Sequence, residues 1–452
     1  MHNDKESPFS LTLINDDLSL QVLRFEGREA LNQPFRFDIE ALGLAPALPL
    51  ERLLQQPACL DFGQGPGIHG VLHTVCLQQH GLHRVGYKLV LVPALQALDR
   101  HRSRRVFEHL SVPMILRLLL QAHDLPETGY RFELATGHYP LRPFCIQYEE
   151  TDLALLQRLC EEEGIHYHFE HHRDAHVLVF ADDCLSFTQQ PLLMPFLGDT
   201  GKTPAISELF QRHDSPPPSL QQNANHAFIQ PARTLIEQRH RDQRVCRHLE
   251  RLRCRQRQVH GQSNHRELHC ANIVQVAEHP LPELNDQWLV IEARHQGCQG
   301  SILAPDASDA APHYRNRFTA IAWSTVFRPP IKQPRPSITG YQPARVCGPS
   351  GQPATLDEQG RIQVSLWPAT DSDPLQSSGL WLPLALSATG NHLDRSSLPL
   401  AGSHGQVAFL DGDVDRPVFC SRAVHHRPSR PACQKQPRRE NLALLDWLLD
   451  PR

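Results

Sequence analysis

The stretch that most limits what this chain can fold into is residues 144–183, FCIQYEETDLALLQRLCEEEGIHYHFEHHRDAHVLVFADD. Residues 144–148 are short, apolar and aromatic, as a strand is. Thr151 or Asp152 then offers a side-chain oxygen to cap a helix. Leu155, Leu156, Leu159 and Cys160 recur at helical spacing, which predicts one apolar face. Gly164 stands where such a helix ends in a left-handed residue. Residues 165–169 and 177–180 read as a hairpin, with 171–175 as its polar turn. The unit predicted is strand–helix–hairpin.

Around it the chain reads mainly as strands. Residues 10–14, 18–25 and 35–39 alternate or carry aromatics, broken by Asn15-Asp16-Asp17 and Asn32-Gln33-Pro34. Residues 50–54 suit a short helix before a strand at 59–62, and 87–92 suit another strand. Gly65-Pro66-Gly67-Ile68-His69-Gly70 matches the spacing GxGxxG. A dinucleotide loop needs a helix behind it, so that amides and dipole meet the pyrophosphate. Residues 71–75 are strand-like instead, so a hairpin turn is predicted. Arg100, His101, Arg102, Arg104 and Arg105 form a basic cluster, read as a solvated loop or a subunit contact. Ser111 caps a helix with Pro113 in its first turn, and Ile115, Leu118, Leu119 and Ala122 make its stripe.

Residues 235–267 are rich in Arg, Gln and His, and read either as exposed strands or as a helix solvated on most of its surface. Strands at 288–293 and 318–327 close this part. Pro329, Pro330, Pro334, Pro336 and Pro343 then make a stiff linker. Beyond it, short strands at 344–346, 361–366, 380–386, 406–410 and 418–424 alternate with turns. Five such strands suit a small barrel of the oligonucleotide-binding (OB) shape.

Residue chemistry gives no catalytic constellation. GxSxG and HExxH do not occur. Glu149, Glu150 and Asp152 are paired carboxylates, but a helix start explains them through the dipole. Glu161, Glu162 and Glu163 sit at the unfavourable end of the same helix, and no chemistry is assigned to them. LGDTGKT (197–203) lacks the early glycine of a phosphate-binding loop, since position 196 is Phe196. His260, His265, His269, Cys270 and His279 are separated by five, four, one and nine positions, which matches no standard zinc pattern. They read as unrelated surface histidines. Twelve cysteines without a CxxC pair read as reduced thiols. The 28 histidines read as surface and strand residues without a shared role, although acidification would turn the net charge of −4 positive. That charge gives no case for nucleic acid. The expectation is therefore no catalytic, cofactor-binding or metal residue and no cofactor. A cell-wall-acting enzyme using the carboxylates near Glu149 is the enzymatic alternative.

The last residues carry one further feature. Residues 428–439 are rich in Pro and Arg, and 440–450 read ENLALLDWLLD. Asn441 can cap a short helix whose face holds Leu442, Leu445 and Leu449, broadened by Leu444 and Leu448. A helix this short does not stand alone in water. Leu442, Leu445, Trp447, Leu448 and Leu449 are therefore the expected partner-binding residues, docking on the chain's own barrel, a sister tail, or a cargo or adaptor.

QYEETDLALLQRLCEEEGIHYHFEH, followed by LVFADD, resembles the signature of the VgrG family, the trimeric spikes of bacterial type VI secretion, which in turn resemble the baseplate hub of contractile-tail phages. FEGREALNQPFRFDIE, RVFEHLSVPMILRLLLQAHDL, YRNRFTAIAWSTVFRPP, LDEQGRIQVSLWP and VAFLDGDVDRPVF are similar to other segments of that family. The likeness spans residues 9–427. It loosens at Trp367-Pro368, where members tend to have Trp-Asp, and at Leu400 and Gln406, where they tend to have Arg and Glu. The resemblance implies a mainly β fold with α+β elements. Two β-barrel-like hub subdomains occupy 1–330, a Pro-rich linker 331–343, an OB-like barrel 344–427, and a flexible tail with the short helix 428–452. Members usually continue into a β-needle, so a short form without it is expected.

The implied role is structural. A homotrimer with pseudo-sixfold symmetry would cap a hexameric, Hcp-like inner tube and help deliver effectors. Its other partners would be baseplate components and an effector, adaptor or tip protein; nucleic acid is not among them. The start, MHNDKESPFS, lacks the apolar core of a secretory signal, so assembly in the cytoplasm and export by the contractile machine are expected. The alternatives are an effector carrier working through the C-terminal helix and the hub of a phage-like tail.

Overall fold

The computed structural model describes residues 8–16, 18–44, 46–80, 84–172, 174–198, 203–215, 235–299, 313–368, 379–385 and 398–420. The chain divides into two compact units. One comprises residues 1–100, 112–140 and 152–334, and the other residues 101–111, 141–151 and 335–452.

In the first unit, β1 (Ser10–Leu13), β2 (Leu18–Ala30), β3 (Gln33–Leu44), the short helix α1 (Leu50–Leu53), β4 (Pro57–Asp61), β5 (Ile68–His80) and β6 (Arg84–Val92) follow one another. The strands pair in the order β1–β4–β5–β6–β3–β2, and β2 pairs back onto β1, so the sheet closes into a ring. Strand side chains alternate between faces, which sends Phe25, Phe35, Phe37 and Tyr87 inward to a core with Phe9 and Phe62. Phe25 stacks on Phe62 at 5.0 Å between ring centres and meets Phe9 edge-on at 5.2 Å. The loop matching GxGxxG joins β4 to β5 as an antiparallel hairpin, with Gly65 and Gly67 at φ +78° and +70°.

The strand–helix–hairpin forms where it was predicted. After β7 (Arg102–Leu110), α2 (Val112–Ala122) and β8 (Tyr130–Glu133) come β9 (Arg142–Thr151), α3 (Asp152–Glu163), β10 (His166–His171) and β11 (His176–Ala181). Leu155, Leu156, Leu159 and Cys160 are fully buried. Gly164 takes φ +69°, and the Ile165 N–H reaches back to the Cys160 carbonyl at 2.9 Å. Parallel β8 completes a three-stranded sheet with β10 and β11.

A second ring follows: β12 (Leu192–Pro195), β13 (Ile206–His213), helix α4 (Leu235–Gln256), β14 (Arg257–Ser263), β15 (Ile273–Ala277), β16 (Gln287–Cys298) and β17 (His313–Ala322). The order is β13–β14–β17–β16–β15–β12, and a bridge from Phe196 to Ile206 joins its two ends. Its core holds Met194, Ile206, Val259, Trp288 and Phe318. The far half of β16 pairs with β2, so one continuous sheet unites the two rings. The strand expected at 318–327 lies five residues earlier, because a turn in which Thr325 N–H bonds the Ala322 carbonyl ends it.

The stretch 235–267, left open between helix and strand, is both. Helix α4 runs first and β14 follows. α4 buries Arg247 and Arg251 rather than an apolar stripe. Arg247 donates to the Glu163 carbonyl and lies over the Tyr139 ring at 5.4 Å. Arg251 donates to the carbonyls of Glu161 and, at 2.9 Å, Pro329. The Glu161 and Glu163 carbonyls lie in the last turn of α3, where intrahelical partners run out, so the buried guanidiniums cap it from outside. The glutamates at that end are occupied too. Glu163 sits 2.8 Å from His240, and Glu161 accepts the backbone N–H of Lys332 and Gln333 at 2.8 Å each.

In the second unit β18 (Tyr341–Val346), β19 (Arg361–Leu366), β20 (Leu380–Ala385), β21 (His404–Phe409) and β22 (Pro417–Cys420) close a five-stranded barrel in the order β18–β19–β20–β22–β21. Val346, Ile362, Val364, Leu382, Val407 and Phe419 fill it. The antiparallel ribbon β7–β9 joins this core through Val106 and Ile146. A single cut near residue 330 assigns that ribbon to the first unit. The structure groups it with the barrel, because its apolar side chains pack there.

Candidate functional site

The sheet uniting the two rings has an outer face with an unusual row. In the strand registers Arg317 of β17 is opposite Arg294 of β16, Arg294 is opposite Arg28 of β2, and Arg28 is opposite Arg36 of β3. All four are exposed. Like charges facing one another across a sheet are destabilising, so the row is not explained by the needs of folding. Nearby acids relieve it only in part. Glu292 lies 2.8 Å from Arg294 and 3.2 Å from Arg28, and Asp38 lies 2.8 Å from Arg36. The next row is mixed, with Arg315 donating to Gln296 at 2.6 Å beside Glu26. The five arginines, with Glu26, Asp38 and Gln296, line one shallow groove that crosses from the first ring to the second. Five guanidiniums in a fixed array suit recognition of carboxylate-rich surfaces.

The inner face of the same strands carries a buried polar cluster. Glu29 of β2, His295 of β16 and His269, in the segment between β14 and β15, are all buried. Glu29 Oε1 is 2.9 Å from His269 Nδ1 and 2.9 Å from His295 Nε2. His295 Nδ1 lies 2.7 Å from the Tyr314 hydroxyl. Burial raises the Glu29 carboxyl, but the two imidazoles outweigh that and hold it well below the usual carboxylate range. Burial lowers His295 against the pull of Glu29.

The residues singled out by sequence spacing scatter. His260 stacks on Phe210 at 5.1 Å, and His279 meets Phe196 at a tilt, 4.3 Å between ring centres. Cys270 donates to the Ile291 carbonyl at 3.5 Å. Of that set only His269 joins an acid and a second imidazole. The reading of unrelated surface histidines therefore needs correcting for His269. His69, His166, His168 and His295 are strand residues, as read, and are buried. No spacing rule could find Glu29, which is 240 positions from His269 and is brought there by the β2–β16 pairing.

The carboxylates named for an enzymatic role are engaged elsewhere. Glu149 accepts from Arg104 at 2.7 Å on the exposed ribbon, and buried Asp152 lies 2.8 Å from His123. The basic cluster of 100–105 is mostly strand β7 rather than loop, and Arg105 donates across to Gln147 at 2.9 Å. The described cysteines are all free thiols. Leu442, Leu445, Trp447, Leu448 and Leu449, and most of LGDTGKT, lie outside the described residues. Among the described residues no helix is long and apolar enough to cross a membrane.

Comparison with known proteins agrees with this architecture. The model of the phage tail baseplate hub (GPD) family matches residues 28–245 and 237–301. The chain is 35% identical, over 93% of its length, to a type VI secretion system spike protein, VgrG5, of Pseudomonas aeruginosa, and covers 58% of that protein. It is 28% identical over 91% of its length to the actin cross-linking toxin VgrG1 of Vibrio cholerae, of which it covers 41%. The chain thus spans about half the length of the curated relatives it matches. Among solved structures, the E. coli c3393 protein, described as a component of the type VI secretion system with structural similarity to the T4 tail proteins gp27 and gp5, superposes with a TM-score of 0.68. That match has 26% identity and covers 88% of this chain and 96% of the other. The Francisella PdpA–VgrG complex shares the fold at a TM-score of 0.56 and 9% identity, over 88% of this chain and 68% of that one.

Proposed function

The chain belongs to the phage tail baseplate hub family and has the hub-plus-small-barrel build of VgrG spikes, and from that premise we propose that three copies close into a hub capping a hexameric tube. Its role is structural. The observation that carries the proposal is the pair of fused rings. Each ring closes on itself, yet both share the β2–β16 seam, so one chain supplies two lobes of similar build. Three chains supply six. A trimer can meet a sixfold cylinder evenly only if each subunit presents its contact twice.

The arginine row supports the same reading, because it crosses both lobes and suits an acidic rim on the tube end. In this reading the protein is assembled in the cytoplasm and driven outward by the contractile machine. The machine supplies the energy. Effectors, an adaptor or a tip protein are carried as further partners. The hub of a phage-like tail would use the same geometry.

Light scattering at micromolar concentration tests the oligomer, and co-sedimentation with assembled tube protein tests the contact. A trimer that pellets with tubes, and less so as salt rises, is expected. A monomer at every salt concentration contradicts the reading.

A further inference from the structure

We propose that Glu29, His269 and His295 form a structural site for one divalent transition-metal ion, with zinc as its probe, that clamps the two rings of the hub together. The claim is independent of the tube-capping role. The three side chains each place one donor atom within 4.8 Å of the others. Two imidazoles and a carboxylate suit first-row divalent ions of borderline softness. The elements matter as much as the donors. Glu29 comes from the first ring, His269 from the loop between β14 and β15 in the second, and His295 from the shared strand β16. An ion held by all three therefore ties the seam from inside.

The hydrogen-bonding pattern points the same way. His295 Nε2 is 2.9 Å from Glu29 Oε1 but makes no well-directed hydrogen bond, and it is buried. A plain hydrogen-bonded triad would direct the His295 nitrogen at the carboxylate. A shared ion instead needs the lone pairs of both rings and the carboxylate to converge on one point. Binding needs no net loss of protons from neutral rings, only the tautomer that carries hydrogen on the other nitrogen. For His295 that nitrogen is Nδ1, which can donate to the Tyr314 hydroxyl at 2.7 Å and so fix the ring. Phe62 lies flat against His269 at 5.9 Å and Phe37 against His295 at 5.6 Å, so the surroundings are apolar and closed. A closed site argues for a structural rather than a catalytic ion. The fourth position falls to a small donor or to His171, whose ring centre is 6.5 Å from that of His269.

The test uses the full chain. Protein purified with zinc present and passed through gel filtration should hold about one zinc per chain by mass spectrometry of the metal. Stripping with a chelator should lower the melting temperature, and zinc should restore it. Cobalt(II) added to the stripped wild-type chain should give the visible absorption of a tetrahedral site, a readout that needs no variant. Glu29→Gln and His269→Ala should lose the ion, Tyr314→Phe should bind it about tenfold more weakly, and His260→Ala should bind as wild type. Less than a tenth of an equivalent of metal, with a melting point unmoved by chelator or zinc and no cobalt spectrum, would overturn the proposal. Full metal content in both Glu29→Gln and His269→Ala would overturn it equally.

Discussion

On its inner face the sheet joining the rings sets Phe37 over Gly27 and Phe25 over Gly297; on its outer face the same strands set Arg36, Arg28, Arg294 and Arg317 side by side. The inner face is arranged for close packing. A Cβ on Gly27 would fall 2.0 Å from the Phe37 ring and one on Gly297 2.2 Å from Phe25, so only glycine lets these rings lie flat across the strands. The outer face works against stability, since each arginine has another as its cross-strand neighbour. Residues on neighbouring strands thus answer to different demands according to which way they point. The difference teaches that the inner face specifies the fold, and that the outer face is not explained by the stability of the isolated chain.

The strongest way to break the packed interior, at the three-stranded sheet β8–β11–β10, is acid. Burial lowers His168 to about 4, and burial with the neighbouring His69 lowers His176 to about 4. Both are neutral in the folded state, whereas the unfolded chain takes up a proton near 6.5. Their contribution is fully present above about pH 6.5 and is lost as the pH falls towards 4. Each histidine costs about 1.4 kcal/mol per pH unit within that window. Urea midpoints between pH 7 and pH 4.5 should fall accordingly; a flat profile would show that these rings are not held neutral.

A smaller but sharper effect is expected at the glycines. Gly297→Ala should destabilise the hub by about 1–3 kcal/mol through overpacking against Phe25, read as a lower urea midpoint of the hub transition. Smaller still, and of opposite sign, is the outer face. Arg317→Gln removes one member of the row, whose hydrogen bond is to Gln262 at 3.3 Å. Stability should stay level or rise by about 0.2–0.5 kcal/mol, while tube co-sedimentation weakens and loses part of its salt dependence. Loss of stability without loss of binding would reverse the assignment of the two faces.

Much of the architecture was legible in local sequence. The periodicity of 152–163 and the glycine at 164 fixed α3 and its end, and alternation fixed β2, β3 and the five barrel strands. What stayed hidden depends on contacts distant in sequence. Helix α4 has no apolar stripe to read, because arginines rather than leucines bury it against α3. The ribbon β7–β9 looks like hub by position, and only the packing of Val106 and Ile146 reveals the barrel as its partner. The arginine row is equally invisible along the chain. Arg28, Arg36, Arg294 and Arg317 form a row only once β2 pairs with β16.

The proposed role depends on the two lobes of each chain becoming six around an axis. Averaged electron micrographs of the purified particle, viewed down that axis, measure this directly. Three copies enclosing a ring of six similar lobes are predicted. Single copies, or a closed ring in which each copy contributes one lobe, would contradict it.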